Sequence, residues 1–184
     1  MKNQFTRKLT TLGLFAAITV VLIHLVNFPL LPGATFLKYT PADVIILIAT
    51  FIFGVPEGII ITAIVSLIQG FGIDASSGII GIIMNFLGTT TSLVIAGSIY
   101  HSNKTKKNAL IGLISGSVAM VVTMILCNII LTPLYMEIPR IQVIKLIPTI
   151  FLPFNLIKGL INSLATWVLY KRVSHLINKF YKKQ

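Results

Sequence analysis

The sequence predicts an all-α membrane protein: a bundle of six transmembrane helices with both termini on the cytoplasmic side. Three observations predict it. First, 55% of the 184 residues are hydrophobic and 10% are charged, against about 25% charged in soluble domains; mean hydropathy is +0.95. Second, the apolar residues fall into runs, the longest of which match the ~20 residues needed to cross a bilayer. Third, the cations sit at the flanks of those runs. They are Lys2, Arg7 and Lys8, then Lys104, Lys106 and Lys107, then Lys171, Arg172, Lys179, Lys182 and Lys183, as the cytoplasmic preference of basic flanks predicts. The net charge of +11 is therefore read as topology and contact with anionic lipid of the bilayer, and no nucleic-acid partner is expected.

The first span covers residues 9–26. Its basic then apolar start resembles a secretion signal. No small-residue cleavage site comes before Pro29 and further spans follow, so a retained helix is expected. Gly13 and Ala17, with Ala16 beside them, form a small-residue face that lets another helix approach closely. Residues 27–41 form a loop rich in proline, long enough to act as a lid or binding loop. Two short apolar runs follow, 42–54 and 57–71, punctuated by Gly54-Val55-Pro56-Glu57. Counting them as two spans returns Lys104, Lys106 and Lys107 to the side of the N-terminus; counting them as one does not. The positive-inside rule favours two. A polar turn with Asp74 leads to span 4 at 78–100, which holds Asn85 and Thr89-Thr90-Thr91-Ser92. Span 5 covers 109–134 and carries Cys127 and Asn128. Residues 135–146 read as a second outer loop, and span 6 covers 147–170. The tail 171–184 is basic and amphipathic, and is expected to lie on the inner leaflet. The whole chain reads as one transmembrane domain, multi-pass in a bacterial plasma membrane.

Polar groups inside the spans point to a site. Lys158 sits three residues after Asn155 on one helical face, ~15 Å from either end of its run at 1.5 Å per residue. A cation there costs ~3 kcal/mol on insertion scales and marks a functional position by default, although a lysine can also snorkel to the interface. Asn85, Asn128 and Asn155 each fall ~10 Å below the outer edge of their spans. Any one of them could be glue between helices, at ~0.6 kcal/mol. Three at one depth, with a cation one turn deeper, suggest the floor of a cavity open to the outside. Amides both donate and accept, and Lys158 only donates. Such a floor suits a ligand with an imide or carbonyl-rich edge, its flat body held by residues such as Phe86 and Phe154. Asp43 is expected to cap the outer start of span 2, beneath the loop.

Catalysis finds little support. The four acidic residues Asp43, Glu57, Asp74 and Glu137 are unpaired in sequence, and His24, His101 and His175 lack metal-ligand spacing. No phosphate loop is present to use ATP, and no carboxylate or histidine relay lies within a span. The chain reads as a capturing subunit that borrows its energy, with neither enzyme activity nor a cofactor of its own.

At these residues the sequence resembles the substrate-binding (S) components of energy-coupling-factor vitamin transporters, and within them the riboflavin transporters. The resemblance is carried by Phe36-Leu37-Lys38-Tyr39-Thr40-Pro41-Ala42-Asp43-Val44, Phe51-Ile52-Phe53-Gly54, Met84-Asn85-Phe86 and Ala96-Gly97-Ser98-Ile99-Tyr100. It continues in Asn128-Ile129-Ile130-Leu131-Thr132-Pro133-Leu134-Tyr135 and, most specifically, in Leu152-Pro153-Phe154-Asn155-Leu156-Ile157-Lys158-Gly159. It implies a six-helix bundle that binds riboflavin, or the related mononucleotide, from outside. It further implies docking on an EcfT-type membrane coupling protein and two EcfA-type ATPase subunits. By the same resemblance Asn128, Asn155 and Lys158 contact the polar edge of the isoalloxazine ring, and the loop around Leu37 closes over it. The docking face falls at Gly13, Ala16 and Ala17, where the family's Ala-x-x-x-Ala spelling is replaced by Gly13 and Ala17. The alternatives are an S component for thiamin, pantothenate or folate, and a membrane protein with no transport role.

Overall fold

A computed structural model describes residues 2–72 and 78–182; the turn 73–77, with Asp74, lies outside the described residues. The helices are α1 (Lys2–Leu25), α2 (Ala42–Phe53), α3 (Val55–Phe71), α4 (Gly78–Ser102), α5 (Lys106–Met136), α6 (Arg140–Leu146) and α7 (Leu152–Lys182). Helices α1, α4, α5 and the segment running from α6 into α7 are long and apolar enough to cross a membrane, whereas α2 and α3 are shorter. The loop after α1 folds into a hairpin of two two-residue strands, β1 (Phe28–Pro29) and β2 (Lys38–Tyr39), which pair antiparallel with Phe28 opposite Tyr39.

Local sequence explains the breaks. Gly54 separates α2 from α3 with a φ of 130°, and a Cβ there would lie 2.6 Å from Glu57 Oε2. Both the conformation and the space call for glycine. The N-terminus of α5 is capped by Thr105, whose hydroxyl accepts from the Asn108 N–H at 3.1 Å. At its other end Glu137 adopts the left-handed conformation, φ 53°. That residue opens a turn of three, not the loop of twelve expected from the sequence, because helix resumes at Arg140.

Helix α6 joins α7 through a π-helical turn at Ile147–Phe151. Pro148 and Pro153 cannot donate into an α-helical ladder. The wider turn absorbs this, and Leu152 N–H donates back to Ile147 O. The rod then runs unbroken to Lys182. The basic tail is thus a direct extension of α7, with no break at Tyr170 to lay it aside as a separate surface helix.

The bundle is closest where α4 meets α5. Gly112 and Gly116 face the α4 backbone: a Cβ on them would stand 2.7 Å from Ala96 O and 2.6 Å from Ser92 O. This small-xxx-small pair permits the contact. Gly116→Ala gains up to ~1 kcal/mol of helix propensity, yet the clash is with rigid backbone and overpacking costs about 1–3 kcal/mol. The expected outcome is a lowered melting temperature in detergent; an unchanged one would show that the two helices separate without cost. Helix α1 packs on α2 and α3, and Lys8 forms an ion pair with Glu57. On α1, Gly13 and Ala17 are exposed. Ala16 is 8% exposed and belongs to the chain's own core. At 100° per residue, one step from exposed Ala17 turns it inward.

Candidate ligand cavity

Helices α2, α3, α4, α5 and α7, the π turn and the loop 27–41 enclose a cavity of about 200 Å³. Leu37, Asp43, Asn85, Asn128, Asn155 and Lys158 all line it. Periodicity alone could not establish that these side chains face one space. Phe154 also lines it, joined by Phe36 and Phe151, whose rings meet edge to face at 6.3 Å. Phe86 does not belong to the lining.

Asn128 is oriented by its own helix, Asn155 by the π turn that precedes α7, and Asn85 by a neighbouring helix. Asn128 Nδ2 donates to Met124 O at 2.6 Å, while its Oδ1 accepts from Thr132 at 2.9 Å. Asn155 Nδ2 donates to Phe151 O at 2.8 Å, a carbonyl belonging to the π turn. Both asparagines are 2% exposed, so their side chains are held rather than free to rotate. Asn85 Nδ2 donates to Gln69 Oε1 at 3.0 Å and ties α4 to α3.

The cap expected of Asp43 is absent. Pro41 occupies the N-cap of α2, with no side-chain cap bond. Asp43 is instead the hub of a network between elements. Its Oδ1 accepts from Thr89 Oγ1 at 2.7 Å. Its Oδ2 accepts from Asn162 Nδ2 and pairs with Lys158 Nζ, both at 3.0 Å. Asn162 Oδ1 in turn accepts from the Tyr39 hydroxyl at 3.0 Å. The carboxylate thereby joins α2, α4, α7 and the hairpin. Lys158 and Asp43 keep 19% and 13% of their side-chain surface, so both can still be reached from the cavity. Burial pushes the Tyr39 phenol above its ordinary value of 10.0, and the neighbouring Asp43 adds to the shift. The hydroxyl therefore remains a donor across the physiological range.

The cavity also holds a feature that sequence reasoning missed. Met84, Met120, Met124 and Met136 all line it. Thioether side chains are polarisable, adapt in shape and make favourable contacts with aromatic rings. Scattered over α4 and α5, they give no pattern to read until the two helices are packed.

The model of the family described as ECF transporter, substrate-specific component, matches residues 7–170, nearly the whole chain. The chain belongs to this family. Among relatives of the S component, one from Streptococcus thermophilus, a riboflavin transporter named RibU, is 29% identical over 182 residues, covering 95% of this chain and 86% of its own length. The RibU of Staphylococcus aureus is also 29% identical, covering 97% of this chain and 96% of itself. A riboflavin transporter of Bacillus subtilis, FmnP, is 26% identical over 92% of this chain and 98% of its own length. The fold is similar to that of a solved S component of a bacterial ECF transporter, with a TM-score of 0.79 at 28% identity. That match covers 94% of this chain and 98% of the other. The chain is accordingly a component of a bacterial membrane transporter, from a family of transporter S components.

Proposed function

We propose that this S component captures riboflavin from outside the cell in the cavity described, and delivers it inward when an EcfT-type coupling protein and two EcfA-type ATPases reorient the bundle. In this reading α2 and α3 are separate spans, the six crossings leave both termini in the cytoplasm, and exposed Gly13 and Ala17 face the coupling protein. The observation that carries it is the pairing of an amide-lined floor with a wall of methionine and phenylalanine. The pyrimidine side of a flavin presents an imide flanked by carbonyls. Asn128 and Asn155 match it with donors and acceptors, and Lys158 with a donor. Methionine sulfur and the rings of Phe151 and Phe154 suit the flat face.

Charge separates riboflavin from a rival vitamin. Lys158 is compensated by Asp43, and the remaining charged residue in the described lining is Lys38. A cation such as thiamin meets no uncompensated carboxylate, whereas a neutral flavin needs none. The mononucleotide is a related ligand whose phosphate must stay near the mouth. At about 200 Å³ the cavity is below the ~300 Å³ lower end of small-molecule sites, so filling it requires the loop or the methionines to shift.

The test is titration of purified protein with riboflavin, followed by flavin fluorescence. The expected result is quenching that saturates at micromolar ligand or below and is not reversed by excess thiamin. Absence of quenching would sink the riboflavin reading, and competition by thiamin would redirect it.

A further inference from the structure

We propose that Tyr39 is a positioning residue: it latches the loop 27–41 over the cavity through Asn162 and Asp43, so that loop closure is coupled to engagement of Lys158. The inference rests on the flavin reading above but concerns a side chain outside the lining. Lys38 and Thr40 line the cavity; Tyr39, between them, does not. Alternation along β2 turns its side chain to the face opposite that of Lys38. It is 6% exposed, and its hydroxyl ends on Asn162.

The strands of the hairpin are short. Strands of two residues supply few ladder bonds, and a lone hairpin is marginal in water. The aromatic contacts, Phe28 with Tyr39 at 5.7 Å and Phe36 with Phe151 at 6.3 Å, are not directional enough to fix one closed position. The Tyr39–Asn162 bond is a directional link from β2 to α7.

That link leads to the floor. Asp43 Oδ2 is shared by Asn162 and Lys158. A ligand acceptor that draws on the Lys158 ammonium leaves Oδ2 more available to Asn162. Hydrogen bonds in a chain polarise one another, so a tighter Asn162–Asp43 bond strengthens Asn162 Oδ1 as the acceptor for Tyr39. Ligand at the floor thus favours a closed loop without touching it.

The test is Tyr39→Phe, which keeps the ring and removes the hydroxyl, with riboflavin association and dissociation followed separately by stopped-flow fluorescence. Loss of one neutral hydrogen bond predicts dissociation about fivefold faster, with association little changed. Asn162→Leu is expected to speed dissociation at least as much. Adding Tyr39→Phe to it is expected to change nothing further, because the latch is already broken. Unchanged dissociation in Tyr39→Phe overturns the proposal. So does an equal effect on both rates, or full additivity in the double variant, either of which marks a general packing role. Failure of the unaltered protein to bind riboflavin is a different result: it removes the flavin reading and this inference with it.

Discussion

Asp43→Ala is expected to lower stability by about 2–4 kcal/mol, the largest loss for a single substitution in the cavity. Thr89, Asn162 and Lys158 all lose their acceptor. Removing one partner from a fully buried ion pair costs ~3–5 kcal/mol, chiefly because the other charge is stranded. Here 19% of the Lys158 side chain remains exposed, so water recovers part of that loss. For a chain of this size the shift in melting temperature is roughly 5–15 °C, readable by thermal melting in detergent. Lys158→Met added to Asp43→Ala is expected to restore part of the loss, since the stranded ammonium is then gone and the two effects are not additive. A single variant that melts like the unaltered protein would show that the network holds nothing together.

Lys158→Ala is expected to weaken riboflavin binding by about 1–3 kcal/mol, the cost of leaving a buried hydrogen-bonding group without its partner, or roughly 5- to 150-fold. This substitution also strands the Asp43 carboxylate, so a loss of affinity alone does not identify a ligand contact. Combining Lys158→Met with Asp43→Asn separates the two roles. Neutralising both partners is expected to return most of the stability, because replacing an ion pair as a whole is far less costly than breaking it. Affinity is expected to stay low. Recovery of full affinity in that double variant would reduce Lys158 to a structural residue.

The helices were legible in the sequence because burial in lipid or in the core demands long apolar runs, and hydropathy records that demand directly. The exceptions are informative. Residues 140–146 read as loop because they mix Arg140, Gln142 and Lys145 with isoleucine and valine. A helix of seven residues is too short to stand out in a hydropathy window. Pro148 and Pro153 fall inside the span expected at 147–170, where nothing local announces the π turn that carries the helix past them and places Phe151 O where it orients Asn155. Ala16 and Ala17 were indistinguishable because in a membrane protein the face toward lipid is as apolar as the face toward the core.

By itself the sequence determined the membrane class, the helical runs, the family resemblance and the unusual intramembrane polar residues: Asn85, Asn128, Asn155 and Lys158. Each is expensive where it stands, and that cost is a property of composition and position along the chain. Only the tertiary structure decided what Asp43 does. Its hydrogen-bonding partners lie 46 and 119 residues away, and nothing local distinguishes a helix cap from a network hub. The methionine wall and the link from Tyr39 through Asn162 to Lys158 arise in the same way. They depend on which helices pack side by side, and apolar periodicity does not encode that choice.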